Sequence, residues 1–288
     1  MQLIAEQPVL DQQLNLHLDG DPLVADIYTP ADGGDGSPLL LIHGWGGSGR
    51  SWQPAIERLR LRYRLVVPDL PGVGRSLPVA RGRSMFDQVQ ALETLIEHLG
   101  IGPVRLIGHS MGGGIAILLA AQQPHLVEQL ILVGVALFRD ESERSFFRMI
   151  TSISGMMMRV RPEILADLPL FTRQFAARFF YRVPNDPVLL REGMLDYLRM
   201  DYATALISAR SATHPGITWA ATQVRCPTLL IVSRQDRVMP VSNVAYTAET
   251  IPGCQVEWIE ECGHLPMVEQ PDRFVDIVQR FLSAPLVR

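Results

Sequence analysis

The most informative absences in this sequence are those of lysine, of paired cysteines and of long apolar runs. All 26 basic residues are arginines, which excludes Schiff-base chemistry and a lysine general base. The three cysteines, Cys226, Cys254 and Cys262, are too few and too odd in number for a disulfide framework, and their spacing matches no zinc-binding pattern. No run of about 18 apolar residues occurs, so no membrane-spanning helix is predicted.

Charge and hydrophobicity are those of a globular protein. The 288 residues carry a formal net charge of −4 with a pI near 6.0. The chain therefore lacks the excess of positive charge that attracts nucleic acid, and no nucleic-acid partner is expected. With 47% hydrophobic and 19% charged residues, the chain can bury a substantial core. Residues 1–20 lack a basic segment leading into an apolar run, so no signal peptide is predicted and the cytoplasm is the default location.

Short apolar runs alternate with helical patterns along most of the chain, which is typical of a mostly parallel sheet wrapped by helices. The candidate strands are 14–18, 22–29, 38–43, 64–68, 104–108, 130–135, 227–233 and 255–260. The alternation stops at about Phe138, and only helical patterns separated by prolines follow up to about Gly216. We therefore predict an α/β core at 1–137 and 217–288, with an inserted helical cap at 138–216.

The strongest motif is Gly108-His109-Ser110-Met111-Gly112, which lies between a predicted strand and a predicted helix. A G-x-S-x-G motif in this context predicts a nucleophile elbow, a tight turn that exposes the serine hydroxyl above the sheet. The glycines are needed because a Cβ would clash in so tight a turn. The alternative is an ordinary glycine-rich turn, which any α/β protein can contain, so the motif needs partners elsewhere in the chain.

A nucleophilic serine needs a histidine as base and a carboxylate that orients the histidine, in the chain order Ser, acid, His for such a fold. His264 follows the last predicted strand, and Asp236 follows the strand before it. Both are therefore expected at the same sheet edge as Ser110. Asp140, beyond the preceding strand, is the rival acid, and a lone loop histidine is more often a surface residue.

Two backbone N–H groups are needed to stabilise an oxyanion. Met111, directly after the candidate nucleophile, is expected to supply one of them. The other is expected from Trp45, in the loop His43-Gly44-Trp45-Gly46-Gly47 after the strand at 38–43. Trp45 could equally be a core residue of a packing loop, because the oxyanion role uses only its amide.

The same loop offers a second interpretation. Residues 44–49 read G-x-G-x-x-G, and Asp69 ends the next predicted strand, a formal match to a dinucleotide-binding fingerprint. Two strands precede the loop, however, where a dinucleotide fold would normally begin. The bulky Trp45 also stands where a pyrophosphate must approach. We therefore expect no cofactor and no metal.

Five segments carry a resemblance to a known family: HGWGGS at 43–48, DLPGVGRS at 69–76, GHSMGG at 108–113, SRQDRVMP at 233–240 and CGHLPMVEQP at 262–271. They are spread over most of the chain outside 138–216. On them the chain resembles the α/β-hydrolase superfamily, in its cap-bearing esterase, lipase and C–C hydrolase group. The resemblance implies an α/β-hydrolase fold and a Ser-His-Asp triad, but it does not identify the substrate.

Departures from the family patterns narrow the expected chemistry. The nucleophile is Ser110 rather than aspartate, which disfavours epoxide hydrolase and haloalkane dehalogenase activity. Leu265 stands where the C–C hydrolases usually carry tryptophan, and no HGGG motif occurs. The expected function is that of a cofactor-independent carboxylesterase, and the expected substrate is a small-molecule apolar ester or a related acyl compound. C–C bond hydrolysis, acyl transfer and a ligand-binding receptor with vestigial turnover are the alternatives.

The predicted cap is rich in methionine and phenylalanine, including Met156, Met157, Met158, Phe179 and Phe180. On amphipathic helices such residues are more often core than ligand contacts. A cap must nevertheless cover the pocket, and flexible methionines beside aromatic rings suit irregular apolar substrates. The sequence leaves open which of them line the pocket, and it leaves the oligomeric state unknown.

Overall fold

The computed structural model describes residues 11–18, 20–30, 34, 36–157 and 159–284, with the side chains of 152–157 left out. Within them the chain forms eight strands: β1 (Gln12–Leu18), β2 (Asp21–Tyr28), β3 (Leu39–Ile42), β4 (Leu65–Asp69), β5 (Val104–His109), β6 (Val127–Val133), β7 (Thr228–Ser233) and β8 (Gln255–Ile259). Every predicted strand is present, with ends shifted by a few residues. Asp19, between the first two predicted strands, lies outside the described residues.

The eight strands form one sheet in the order β1-β2-β4-β3-β5-β6-β7-β8. The pairs β1/β2 and β2/β4 are antiparallel, and all the others are parallel. The prediction of a mostly parallel sheet is therefore confirmed. Because the carboxyl ends of β3 and of β5 to β8 point the same way, the loops that follow these strands share one edge of the sheet.

Helices cover both faces of the sheet. Those of the predicted core are α1 (Gln53–Leu59), α2 (Met85–Leu99), α3 (Met111–Gln122), α8 (Pro215–Gln223), α9 (Val244–Thr250), α10 (Pro266–Glu269) and α11 (Pro271–Ser283). Alternate residues of a strand serve opposite faces. Leu40 and Ile42 of β3 pack with α2, α3 and α8, whereas Leu39 and Leu41 pack with α1 and α11.

Local sequence signals account for the helix ends. In α2, the Ser84 side chain accepts the Asp87 N–H while the Asp87 carboxylate accepts the Ser84 N–H, a capping box. Gly100 ends the helix in the left-handed conformation with φ 59°, which glycine adopts readily. Proline begins α8, α10 and α11, where its missing N–H costs no hydrogen bond.

Residues 138–216, called the cap segment below, leave the sheet after β6. They contain α4 (Glu141–Met157), a 3₁₀ turn (Glu163–Asp167), α5 (Pro169–Ala176), α6 (Pro187–Arg199) and α7 (Tyr202–Ser211), and no strand among the described residues. One boundary differs from expectation. Helix α8 begins at Pro215 and packs Ile217, Ala220 and Ala221 into the core, so the predicted boundary at 216/217 falls inside a helix. That the cap segment is a domain of its own stays a prediction.

No helix among the described residues combines the length and the apolar composition that crossing a bilayer requires.

Candidate active site

Ser110 lies at the turn between β5 and α3. Its backbone has φ 51° and ψ −118°, an unusual conformation for a residue with a side chain. The flanking glycines make the turn possible. A Cβ at Gly108 would lie 2.4 Å from the carbonyl oxygen of Gly112, and one at Gly112 would lie 2.5 Å from that of Ile42. The backbone therefore has the strained strand-turn-helix geometry of a nucleophile elbow.

His264 and Asp236 meet at the same edge of the sheet, on the loops that follow β8 and β7. The distance from His264 Nδ1 to Asp236 Oδ2 is 2.7 Å, and both side chains are 4% exposed. If Nδ1 donates to the carboxylate, Nε2 is left as the basic nitrogen. Asp236 Oδ1 accepts the backbone N–H groups of Val238 and Met239 at 2.7 and 3.0 Å, which fixes the carboxylate in place.

The surroundings of Asp236 favour its charged form. Burial opposes ionisation, but the hydrogen bond and charge of His264, with the N–H groups of Met239 and Val238, outweigh it and lower the pKa of Asp236. A carboxylate that stays ionised can hold the imidazole in one orientation and stabilise its positive form.

Asp140, the rival acid, lies elsewhere. Its side chain is exposed at the start of α4, where Oδ1 accepts the Ser142 hydroxyl at 2.6 Å and the Glu143 N–H at 2.9 Å. These hydrogen bonds lower the pKa of Asp140. Asp140 therefore acts as a helix cap, and the structure brings Asp236 to His264 instead.

Met111 and Trp45 both border the cavity that contains Ser110. Met111 is the first residue of α3, and N–H groups in a first helical turn have no partner within the helix. The Trp45 indole Nε1 donates to the Ala205 carbonyl of the cap segment at 3.1 Å, and the ring packs edge-on against Tyr197 at 5.7 Å. The tryptophan side chain is thus held by the cap segment, while its amide belongs to the loop beside Ser110.

His43 and His109 are both buried beside this loop, and both contact Gly44. The His43 Nε2 accepts the Leu70 N–H at 3.0 Å, so its proton is on Nδ1, which donates to the Gly44 carbonyl at 2.9 Å. Burial lowers the pKa of His43 and lowers that of His109 to about 3, so both rings are neutral at pH 7. Gly44 packs against the second of these rings, because a Cβ there would lie 2.7 Å from His109 Nδ1.

One cavity of about 990 Å³ unites the predicted residues. Ser110, Met111, Trp45, Asp236 and His264 all line it, and its other walls are mostly apolar. The cap segment contributes the aromatic side chains of Phe138, Phe146, Phe147, Phe175, Phe179, Phe180 and Tyr197. Met156, Met157 and Met158, which the sequence singled out, lie outside the residues whose side chains are described.

The formal dinucleotide match is explained by packing. Asp69 is 2% exposed and fully engaged, because Oδ1 accepts the Gly49 N–H at 2.8 Å and Oδ2 accepts the Arg75 Nε–H at 2.8 Å. Both oxygens are therefore already bound within the protein, and a ribose hydroxyl would have to compete with these contacts. The loop at 44–49 follows β3, in the middle of the sheet. Its glycines make room for neighbouring protein groups: Gly44 for His109 and Ser110, Gly46 for Tyr197 and Gly49 for Asp69.

Gly134 is a site residue that the sequence reasoning missed. It follows β6 with φ 60°, and a Cβ there would lie 3.2 Å from both Cε1 and Nδ1 of His264 and 3.6 Å from Asp236 Oδ2. A glycine directly after a central strand, at the edge where the other site residues were expected, was the available signal. Its lack of a side chain leaves room for the imidazole and the carboxylate to meet.

The cysteines take no part in this arrangement. All three are free, and burial raises the pKa of Cys226 and Cys254 to about 11 and that of Cys262 to about 12. Thiols with such pKa values are poor nucleophiles. Within the part of the chain that the structure describes, no three His, Cys, Asp or Glu side chains are grouped as a metal site would require.

Known proteins resemble this chain over most of its length. A family model described as alpha/beta hydrolase fold matches residues 37–271. The magnesium-chelatase 30 kDa subunit of Rhodobacter capsulatus is 33% identical over 245 residues, 80% of this chain and 81% of that protein. A monoacylglycerol lipase of Xenopus laevis is 26% identical, with coverage of 87% and 77%. A thermophilic esterase from Thermogutta terrifontis, solved with malate bound, superposes with a TM-score of 0.76 at 26% identity, covering 94% of this chain and 98% of the esterase.

Proposed function

Because the chain belongs to the alpha/beta hydrolase fold family, whose members similar to it include an esterase and a monoacylglycerol lipase, we propose that it is a serine hydrolase that cleaves carboxylic esters. The observation that carries this proposal is the contact of His264 with Asp236 at 2.7 Å, in the cavity where the strained turn at Ser110 lies. The three groups that acyl transfer needs come from three separate loops.

In the proposed reaction, the Ser110 Oγ forms a bond to the ester carbonyl carbon while His264 Nε2 takes the hydroxyl proton. The tetrahedral intermediate then expels the alcohol, which receives that proton from His264, and an acyl-enzyme remains. Water then forms a bond to the acyl carbon while His264 takes one of its protons. The second tetrahedral intermediate releases the acid as His264 returns that proton to the Ser110 Oγ. Asp236 stays ionised throughout, since its surroundings lower its pKa.

The oxyanion of each tetrahedral intermediate is assigned to the amides of Met111 and Trp45. Donors of this kind are effective because they point at the developing charge before the reaction begins. The start of α3 adds the positive end of a helix dipole beneath Ser110. The loop at 43–47 is held in place by His43, which bonds to both Gly44 and Leu70.

For the substrate we propose an ester with a substantial apolar portion. The cavity of about 990 Å³ is lined mostly by apolar groups, with aromatic side chains from the cap segment. Apolar surface of this kind favours aliphatic or aromatic acyl and alcohol groups over small polar ones. The names of the similar proteins differ, so the nature of the ester is proposed from the cavity rather than from them.

The test combines labelling with turnover. A fluorophosphonate probe should label the wild type and not Ser110→Ala, and p-nitrophenyl esters of graded chain length should be hydrolysed by the wild type alone. The expected loss in Ser110→Ala is about 10⁴-fold or more, at unchanged circular dichroism. Most activity persisting in Ser110→Ala would refute the proposal. Turnover of a meta-cleavage dienoate in preference to every ester would assign the same residues to C–C hydrolysis instead.

A further inference from the structure

The loop that carries His264 packs directly on the backbone of the cap segment. The His264 N–H donates to the Phe179 carbonyl oxygen at 2.6 Å. At the preceding residue the two backbones touch, since a Cβ at Gly263 would lie 2.4 Å from that same oxygen and 2.7 Å from the Tyr181 nitrogen. The turn after α5 is therefore in contact with the backbone of the candidate base.

Glu269, at the end of α10, joins the two segments. Its Oε2 accepts the N–H groups of Gly263 at 2.8 Å and of Tyr181 at 3.1 Å. Its Oε1 accepts the Arg182 N–H at 2.6 Å. One carboxylate thus binds the loop before His264 and two successive residues of the cap segment. Hydrogen bonds to an ionised acceptor are stronger than those between neutral groups.

An exposed ion pair joins the same two segments and offers a comparison. Arg182 Nη2 lies 2.6 Å from Glu261 Oε2, with side chains 72% and 60% exposed. Pairs this exposed contribute about 0 to 1 kcal/mol because solvent and salt screen them. The Glu261 side chain therefore joins the His264 loop to the cap segment through the Arg182 side chain, without binding a backbone N–H of either segment.

We propose that Glu269 is a positioning residue that holds His264 in its reactive orientation by fixing the His264 loop to the cap segment. The Nε2 of His264 must face the serine hydroxyl, and a displacement of about 1 Å can lower a rate about 100-fold. The inference rests on the proposed function and deepens it, because it gives the cap segment a part in the chemistry besides covering the cavity.

The hydrogen bonds of the Glu269 carboxylate determine which substitutions test its role. Glu269→Ala removes the acceptor for all three N–H groups. Glu269→Gln keeps one oxygen, which can still join Gly263 to Tyr181, and places an amide group against the Arg182 N–H. Glu269→Asp keeps the charge but is too short to bind both segments, and it supplies a mild variant if Glu269→Ala does not fold. Glu261→Gln is the matched control.

Turnover should be measured per active site, with the sites titrated by a fluorophosphonate, so that misfolded protein does not count. We expect kcat to fall about 10- to 100-fold in Glu269→Ala, with a far smaller change in KM. In Glu269→Asp the fall in kcat should be smaller. In Glu269→Gln kcat should be close to that of the wild type. Glu261→Gln should match the wild type. Loss of melting temperature with unchanged kcat per titrated site would overturn the proposal, because it is the result of a purely structural role.

A second readout does not depend on turnover. The proton between His264 Nδ1 and Asp236 should give a downfield ¹H resonance in the wild type that Asp236→Asn removes. In folded Glu269→Ala this signal should shift or broaden, and in Glu261→Gln it should not. An unchanged signal in Glu269→Ala would overturn the positioning role. Absence of ester turnover in the wild type would instead overturn the proposed function, while the resonance still tests Glu269.

Discussion

His109 Nε2 lies 2.9 Å from the backbone carbonyl oxygen of His264, and the two rings are 4.6 Å apart between centroids. A carbonyl can only accept, so His109 carries its proton on Nε2 and donates it. Since burial lowers the pKa of His109 to about 3, the imidazole is neutral at pH 7 and keeps its single proton on Nε2. The residue before the candidate nucleophile thereby holds the backbone of the candidate base.

Replacing His109 with phenylalanine should therefore weaken both stability and turnover. The ring volume is largely kept, but the His264 carbonyl loses its buried donor, which costs about 1 to 3 kcal/mol. We expect kcat to fall about 10-fold or more, because the His264 backbone is freed on one side. Urea unfolding and ester kinetics measure the two effects. His98→Phe, at an exposed position of α2, is the control, and equal behaviour of the two variants would contradict the role of His109.

The sequence predicted the sheet, the turn at Ser110 and the meeting of His264 with Asp236, because each depends on a local pattern and on where a strand ends. It did not predict that Gly134, His109 and Glu269 contact the loop that carries His264. Those roles arise from contacts between residues far apart in the chain, such as that of Glu269 with Tyr181. No local period or spacing records such contacts.

The dinucleotide-like motif shows that a local match to a pattern can also mislead. Six residues at 44–49 fit a fingerprint letter by letter, yet the space beside Gly44 is taken up by His109 and Ser110, and that beside Gly46 by Tyr197. The motif specifies a tight turn after a strand, and the neighbouring elements decide what occupies that turn. For this reason, the position of β3 within the sheet says more about the role of the loop at 44–49 than the motif does.

The choice of acid can be tested by two parallel variants. Asp236→Asn should lower kcat by orders of magnitude, because the amide favours the wrong tautomer of His264. Asp140→Asn should leave kcat within about threefold and change the stability little, since Asn also caps helices well. Steady-state kinetics on one ester, with both variants checked by circular dichroism, gives the comparison. The reverse ranking would move the acid to the loop after β6.

The buried Asp69 predicts a pH dependence of stability. Burial would raise the pKa of Asp69, but the hydrogen bonds and charge of Arg75 outweigh it and lower the pKa. A lowered folded-state pKa stabilises the protein above the ordinary pKa of aspartate, and this contribution is lost as the pH falls through the folded-state value. Wild-type protein should therefore exceed Asp69→Asn in stability at pH 7, and the difference should shrink below pH about 4.

The expected difference at pH 7 is about 2 kcal/mol, less than for a fully buried pair, since the Arg75 side chain is 36% exposed and also contacts Asp26 at 2.7 Å. Urea unfolding between pH about 7 and about 3 measures it. Asp272→Asn, which removes a carboxylate 82% exposed, is the control and should show a far smaller difference. A difference for Asp69→Asn that stays constant to the lowest pH would contradict the assignment.

The aromatic side chains of the cap segment should decide which ester is preferred. Phe147 of α4 lines the cavity and packs on Phe138 at 4.9 Å, and Phe175 of α5 lines it beside Tyr197 at 4.8 Å. Phe180 also borders the cavity but is 7% exposed and packs with Ala176 and Leu190. Phe147→Ala and Phe175→Ala should therefore change specificity, whereas Phe180→Ala should mainly lose stability.

Each additional CH₂ that the cavity buries adds about 0.8 kcal/mol, about fourfold in kcat/KM, until the space is full. Removing the Phe147 ring enlarges that space, so the optimum of the chain-length profile should move to longer esters while the best rate changes little. Phe171→Ala is the matched control, because Phe171 is 42% exposed and does not line the cavity. Profiles measured with p-nitrophenyl esters on variants that remain folded decide the matter. If Phe147→Ala and Phe175→Ala kept the wild-type profile, specificity would reside in the loops after the strands, and the cap segment would serve His264 and cover the cavity without selecting the substrate.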